Sequence, residues 1–229
     1  MEPNDDSALV HADASGRIVL AVADGVGGGP LGYKASGIAM ACLSERLDAD
    51  DEAPLRPRIL DAFEQANEEI LDLGIGAATT LTVLAIENRV ARVFQVGDSM
   101  ALAMGGKGVI KYISNAHSPV GYAVQGGCLD EDEAMHHEYR HFVSNLVGTH
   151  EMHIELGPPI PLAPRDTLLV ATDGLFDNLH LSEITALACR GTALQRCKRL
   201  VALAEQRMRM GDENQPGKPD DLALLLLTP

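Results

Sequence analysis

The stretch TTLTVLAIENRVARVFQVGDSMALAM, Thr79 to Met104, decides how this chain folds. Thr79–Ile86 and Val90–Val96 are β-branched and aliphatic runs of the kind that form buried strands. A short polar connection, Glu87-Asn88-Arg89, separates them, so together they read as a hairpin. Met100–Met104 follows, then the turn sequence GGKG (Gly105–Gly108), then Val109–Ile113: a second hairpin. Strands joined by tight turns run antiparallel, because a parallel pair needs a crossover of a dozen residues or more. The spacing therefore predicts antiparallel sheet.

The flanking sequence supplies helices. Upstream, Ile18–Ala23 reads as the first, buried strand. Lys34–Leu47 and Arg58–Leu73 carry apolar residues at helical spacing on either side of the charged, proline-containing connection DADDEAPLRP. Downstream, Ser114 to Gly127 reads as irregular, and the acidic, His-rich stretch from Leu129 to Gly148 as a helix. Asp166–Thr172 is a strand, helices follow from Ser182 and over Thr192–Met210, and Leu222–Leu227 is a last strand after the loop MGDENQPGKPDD. Helices thus come in an early and a late pair, each placed to cover one face of a sheet sandwich. The expectation is an α+β fold: two antiparallel β-sheets flanked by pairs of helices, a four-layer αββα arrangement in a single domain over residues 1–229.

Composition narrows the function. The 229 residues are 46% apolar and 22% charged, ordinary for a globular chain. Aromatics are only 3%, with no Trp, so Leu, Val, Ile and Ala must build the core. A net charge of −15 argues against nucleic acid or an anionic membrane as partner. Cys42, Cys128, Cys189 and Cys197 form no C-x-x-C pair, which suits reduced thiols. The start, MEPNDDSALV, has no secretory pattern, and no apolar stretch is long enough to span a bilayer. These features predict a cytoplasmic protein.

Carboxylates recur where apolar runs meet turns. Asp24 closes VLAVA, Asp98 closes RVFQVG, Asp173 closes LLVAT, Asp220 and Asp221 open the last strand, and Asp5-Asp6 stands upstream of the first. An Asp-Gly pair alone is common turn punctuation; the set is harder to dismiss. If these strand ends share one edge of the sandwich, the carboxylates repel one another unless a cation intervenes. Oxygen donors without Cys or His suit hard ions such as Mg²⁺ or Mn²⁺. The glycines of GVGGG, Gly25 to Gly29, would let the backbone turn tightly beside Asp24.

VADGVGG (Val22–Gly28), GAATTL (Gly76–Leu81), VGDS (Val96–Ser99), ATDGLFDNL (Ala171–Leu179) and PDDLA (Pro219–Ala223) occur in one order across the chain. This set resembles the PPM-type metal-dependent protein serine/threonine phosphatases, the protein phosphatase 2C family, in its compact bacterial form. Asn4-Asp5-Asp6 resembles that family's Asn-Glu-Asp. The resemblance implies hydrolysis of phosphoserine and phosphothreonine in proteins by a hydroxide bridging two Mn²⁺ or Mg²⁺ ions, with a third, weaker site. It implies that Asp24 bridges the ions, with Gly25 (through its carbonyl), Asp173 and Asp220 as ligands of the first. Asp5 matches the residue beside the second ion, Asp6 the one that orients the attacking water, and Asp98 a ligand of the third ion. Asp6 and Asp24 are the catalytic expectations. The implied partner is a phosphoprotein opposed by a serine/threonine kinase, with the chain acting as a monomer, and a flap over Ser114–Val143 would touch substrate.

The sequence departs from the family pattern in places. Asp5 is one methylene shorter than glutamate, Val26 stands where many members have His, and Met1 where several have a phosphate-binding Arg. Asp221 and Ala223 replace Asn and Thr. These departures motivate an alternative, a degenerate phosphatase-fold binding module. A more remote one is a zinc metalloprotease, because His137-Glu138-Tyr139-Arg140-His141 spells H-E-x-x-H, which on a helix puts both imidazoles on one face.

Overall fold

The structure is a computed structural model, which describes residues 4–26, 31–49, 53–210 and 217–229. In chain order the elements are β1 (Asp6–Ala12), β2 (Ile18–Val26), α1 (Gly32–Asp48), α2 (Leu55–Asp72), β3 (Ala78–Thr79), β4 (Leu81–Glu87), β5 (Val90–Val96), β6 (Met100–Met104) and β7 (Ile110–Ile113). They continue with α3 (Pro119–Gln125), α4 (Glu131–Met135), β8 (Glu155–Leu156), β9 (Ile160–Pro161), β10 (Thr167–Ala171), α5 (Asp173–Phe176), α6 (Leu181–Ala188), α7 (Ala193–Met210) and β11 (Leu224–Leu227).

The β4–β5 hairpin forms as expected, with a tighter turn. Glu87 pairs with Val90, leaving Asn88 and Arg89 as a two-residue loop. Both have positive φ, 51° and 60°, the backbone of a type I′ turn, whose twist matches that of the strands it joins. One sheet runs β1-β2-β4-β5-β8, with β3 beside β2 and β9 beside β5; the other runs β11-β10-β6-β7. Every named strand pair is antiparallel.

Period-two alternation assigns each strand's side chains to two different cores. Val19, Ala21 and Ala23 of β2 pack with Leu43, Leu47, Ile59, Phe63 and Ile70 of α1 and α2. Leu20 and Val22, pointing the other way, meet Ala101, Ala103, Leu168 and Val170 between the sheets. Leu102, Met104, Leu169 and Ala171 then face Leu175, Ile184, Leu200 and Ala204 of α5, α6 and α7. Three apolar layers separate four layers of structure, αββα, and central strands buried on both faces read as unbroken apolar runs.

Three expectations need correction. The first strand is β1, not β2. Its exposure alternates, with Ala8, Val10 and Ala12 outward, and it pairs with β2 along its whole length, so its small and polar residues gave little apolar signal. The Ser114–Gly127 segment holds α3, whose N-cap Ser118 accepts the Gly121 N–H, with Pro119 opening the helix. The helix expected over Leu129–Gly148 stops at Met135. Asp130 and Glu133 form a capping box that starts α4, but none of its residues is buried, so no apolar face extends it. Gly27 to Gly29 of the glycine run lie outside the described residues, as does Met1.

Candidate active site

Antiparallel pairing brings the end of β2, the start of β4, the end of β5 and the start of β6 to one edge of the sandwich. The end of β10 and the start of β11 arrive there too. Asp6 lies directly opposite Asp24 in the β1–β2 register. The Asp24 backbone is held from three directions. Its N–H donates to Thr80 Oγ1 at 2.9 Å, and its carbonyl accepts from the Thr79 hydroxyl and the Thr80 N–H, both at 2.8 Å. The Thr80 hydroxyl also meets that of Ser99 at 2.7 Å, and the Thr82 hydroxyl donates to the Ser99 carbonyl at 2.7 Å. The threonines of GAATTLT thus bolt the Asp24 turn to the Asp98-Ser99 turn.

The second sheet is tied to the first through Thr172 and Asp221. The Thr172 hydroxyl accepts the Ala223 N–H at 2.9 Å and donates to Asp6 Oδ2 at 2.7 Å. Asp221 Oδ2 accepts the Asp5 N–H at 2.7 Å. Glycine is needed where these segments meet. A Cβ on Gly174 would lie 2.0 Å from the Asp221 carbonyl oxygen, and one on Gly25 would lie 2.2 Å from that of Gly32.

Asp98 and Asp173 are 6% and 8% exposed, and each keeps an Oδ1 without a hydrogen-bond partner. Buried carboxylate oxygens left so are costly. Burial, then Asp173, Asp6, Asp98 and Asp220, push the Asp24 carboxyl up to about 10. Burial and the charges of Asp173, Asp221 and Asp220 raise Asp6 to about 7 against the Thr172 hydrogen bond. Asp98 is pushed well above the usual range by burial, Asp173 and Asp177. Asp220 is raised by burial and Asp173, with Lys218 opposing. The cluster is thus electrostatically strained towards a cation. Asp5 is placed differently: its Oδ1 accepts the Tyr33 N–H at 3.0 Å, in the first turn of α1.

Two residues join the cluster that strand-end reasoning missed. Asp177 lies one turn after Asp173, and burial and Asp173 raise it to about 6. The i,i+4 spacing within ATDGLFD was the available signal. Lys218 places its Nζ 2.5 Å from Asp173 Oδ2, 3.0 Å from Asp177 Oδ2 and 3.0 Å from Asp220 Oδ2. Burial works against its charge, but Asp177, Asp173 and Asp220 together hold the ammonium above the ordinary lysine range. Among the described residues, no three acidic, imidazole or thiol groups stand ready as a set around one ion.

A cleft of about 250 Å³ opens beside Asp98, Asp173 and Asp177, walled by Met100, Val120, Val124, Phe176 and Arg140. The H-E-x-x-H residues form no helix: His137 to His141 lie in turns, and His137 Nδ1 accepts the Tyr139 N–H at 3.1 Å. Without helical i,i+4 placement the two imidazoles do not form the metalloprotease arrangement, and this alternative has no support.

A four-layer αββα sandwich with an acidic cluster at one end of its central sheets is the frame of the metal-dependent protein phosphatases. The family model for protein phosphatase 2C matches residues 1–224, and the chain belongs to that family: it is a protein serine/threonine phosphatase. The protein phosphatase PhpP of Streptococcus pneumoniae is 30% identical over 192 residues, covering 79% of this chain and 76% of the relative. The solved serine/threonine phosphatase of S. agalactiae superposes with a TM-score of 0.85 at 25% identity, covering all of this chain and 95% of that one. The catalytic domain of the serine/threonine phosphatase PstP, solved with two manganese ions, superposes at 0.79 with 24% identity over 98% of this chain and 90% of that one. Nothing in these comparisons supports a degenerate binding module.

Proposed function

We propose that residues 1–229 act as one phosphatase domain, hydrolysing phosphoserine and phosphothreonine in proteins at this acidic edge with bound Mn²⁺ or Mg²⁺. The observation that carries the reading is the meeting of Asp6, Asp24, Asp98, Asp173, Asp177 and Asp220, two of them with buried, unpartnered oxygens. The donors are all oxygen, which fits hard divalent ions. Asp24, Asp173 and Asp220, with the Gly25 carbonyl, would hold the first ion, Asp24 would share in the second, and Asp98 would serve a weaker one. When bound, such ions lower the pKa of water and offset the charge of the phosphoryl oxygens.

The chain's own groups do the rest. Asp6 is anchored through Oδ2 to Thr172, which leaves Oδ1 to orient the attacking water and accept its proton. Asp5 fixes the start of α1 against the Gly25 turn, where it would stand beside the second ion. Val26 contributes no imidazole to protonate the leaving alkoxide. The cleft beside Asp177, walled by part of the Ser114–Val143 flap, receives the peptide flanking the phosphoresidue. The same reading makes the protein a cytoplasmic monomer that opposes a serine/threonine kinase. Among the described residues no helix is long and apolar enough to cross a membrane.

The test is hydrolysis of a phosphothreonine peptide and of p-nitrophenyl phosphate with Mn²⁺ and with chelator. Turnover should need the ion and fall at least about a hundredfold in Asp24→Asn, the scale of losing one group that stabilises the transition state. Full activity in chelator refutes the reading.

A further inference from the structure

The end of the second sheet opposite the acidic edge gathers charge of the other sign. β6 and β10 pair from Met100 and Ala171, at the acidic edge, to Met104 and Thr167 at the far end. Four residue steps of about 3.3 Å separate the two ends by roughly 13 Å. Three segments meet at the far end. In the turn between β6 and β7, a Cβ on Gly106 would lie 2.8 Å from the Arg165 Cβ, just ahead of β10. A Cβ on Gly108 would lie 2.7 Å from Cys189 Sγ, at the end of α6. The start of α7 is tied on by Arg199, which donates to the Leu187 and Arg190 carbonyls, and by Arg196, which donates to the Thr167 hydroxyl at 3.0 Å.

Residues 105–111, 163–167 and 185–199 carry seven of the chain's 18 basic side chains and one of its 33 acidic ones. That one, Asp166, is buried and already engaged by Lys111. Lys107, Arg165 and Arg190 are exposed, and among the described residues none of the three has a carboxylate partner. Lys107 and Arg190 line an open cleft of about 810 Å³ between the turn and α6, room for several side chains rather than one small anion. Val109 and Leu194, next to these segments' cations along the chain, are 67% and 64% exposed. A long polyanion or a bilayer laid here would also meet the acidic remainder of a chain of net charge −15. A short acidic segment need meet only the basic end.

We propose that this far end is a docking surface for an acidic, partly apolar segment of a partner protein. Its carboxylates meet Lys107, Arg165 and Arg190, and its apolar side chains cover Val109 and Leu194. Charge complementarity selects the partner and sets its orientation, because the rest of the surface repels the same segment. The contact lies away from the acidic edge, so it adds affinity and choice of partner without entering the chemistry.

The experiment is fluorescence anisotropy of a labelled peptide of mixed Glu, Asp and Leu titrated with the purified full chain in chelator. Wild type should bind it, less tightly as salt rises, and should not bind a control peptide with Lys in place of the acids. The double variant Lys107→Glu with Arg190→Glu should bind at least about tenfold less tightly. Its turnover of p-nitrophenyl phosphate with Mn²⁺ should stay within about twofold of wild type. Absence of binding by wild type, or equal affinity in the variant, overturns the proposal. Equally tight binding of inorganic phosphate, or of phosphatidylserine vesicles, overturns it in favour of a free anion or a lipid surface. A wild-type dimer that the variant loses overturns it in favour of a second copy of this chain. Should charge reversal unfold the protein, Lys107→Gln with Arg190→Gln makes the same comparison, with a loss of at least about threefold expected. Because the peptide is read without metal, its failure to bind leaves the phosphatase reading standing, and turnover in chelator would leave docking standing.

Discussion

Replacing Asp24 by Asn removes a negative charge from the centre of the cluster while keeping the side chain's shape. The hydrogen bonds that fix this residue run through its backbone, to Thr79 and Thr80, and survive the change. Without metal, the Asp24 carboxyl is pushed from 3.8 to about 10, so at pH 7 the fold must protonate it about three units above its ordinary value. At about 1.4 kcal/mol per unit this costs up to about 4 kcal/mol. An amide escapes that cost but loses about 1–2 kcal/mol for want of a partner, leaving a net gain of about 2 kcal/mol. For a domain of this size that raises Tm by about 4–8 °C. The assay is thermal unfolding in chelator and then in saturating Mn²⁺. Wild type should gain about 3 kcal/mol at a hundredfold excess of ion over Kd, and Asp24→Asn should gain little while losing turnover. A variant less stable than wild type in chelator, or one that keeps the full response to Mn²⁺, would refute the reasoning.

The raised carboxyls of Asp6, Asp177 and Asp24 also set a pH slope. The folded chain holds protons that the unfolded chain releases above about pH 4, so metal-free stability should fall as pH rises from about 4 through 6, 7 and beyond. Thermal scans in chelator at pH 5 and pH 8 check this; saturating Mn²⁺ should flatten the slope, and a rising slope in chelator contradicts it. Gly174→Ala drives a methyl into the Asp221 carbonyl and should cost about 1–3 kcal/mol, read as a lower urea midpoint with weaker Mn²⁺ binding. His137→Ala and His141→Ala should leave phosphopeptide turnover within about twofold, since surface changes away from a site have small effects; loss of activity would reopen the histidine reading.

Much of the architecture could be read directly because the central strands are buried on both faces. Ile18–Ala23, Val90–Val96 and Asp166–Thr172 announce themselves as strand runs, and Asp24, Asp98 and Asp173 follow them at one edge of the sandwich. What stayed hidden lacks that contrast. β1 is a half-exposed edge strand with Ser7 and His11 among its inward residues, held by pairing more than by burial. The segment from Ser114 to Phe142 is ordered by caps and local turns, which carry no period. Asp177 and Lys218 escape a search for strand-end carboxylates, since one sits inside a helical turn and the other carries the opposite charge. Thr172, Asn178 and Ser99 act through hydrogen bonds to residues distant in sequence, which only the tertiary fold defines.

Asp6 stands on the first strand, while Lys218 and Asp220 stand just ahead of the last. On the proposed function, the reactive centre is incomplete until β11 has paired with β10 and carried Asp220 to the cluster. A nascent polypeptide that has not yet supplied residues 218–229 should then be catalytically silent, however much helix it already shows. During refolding from denaturant, turnover should recover in the slowest phase, governed by the most distant contacts along the backbone.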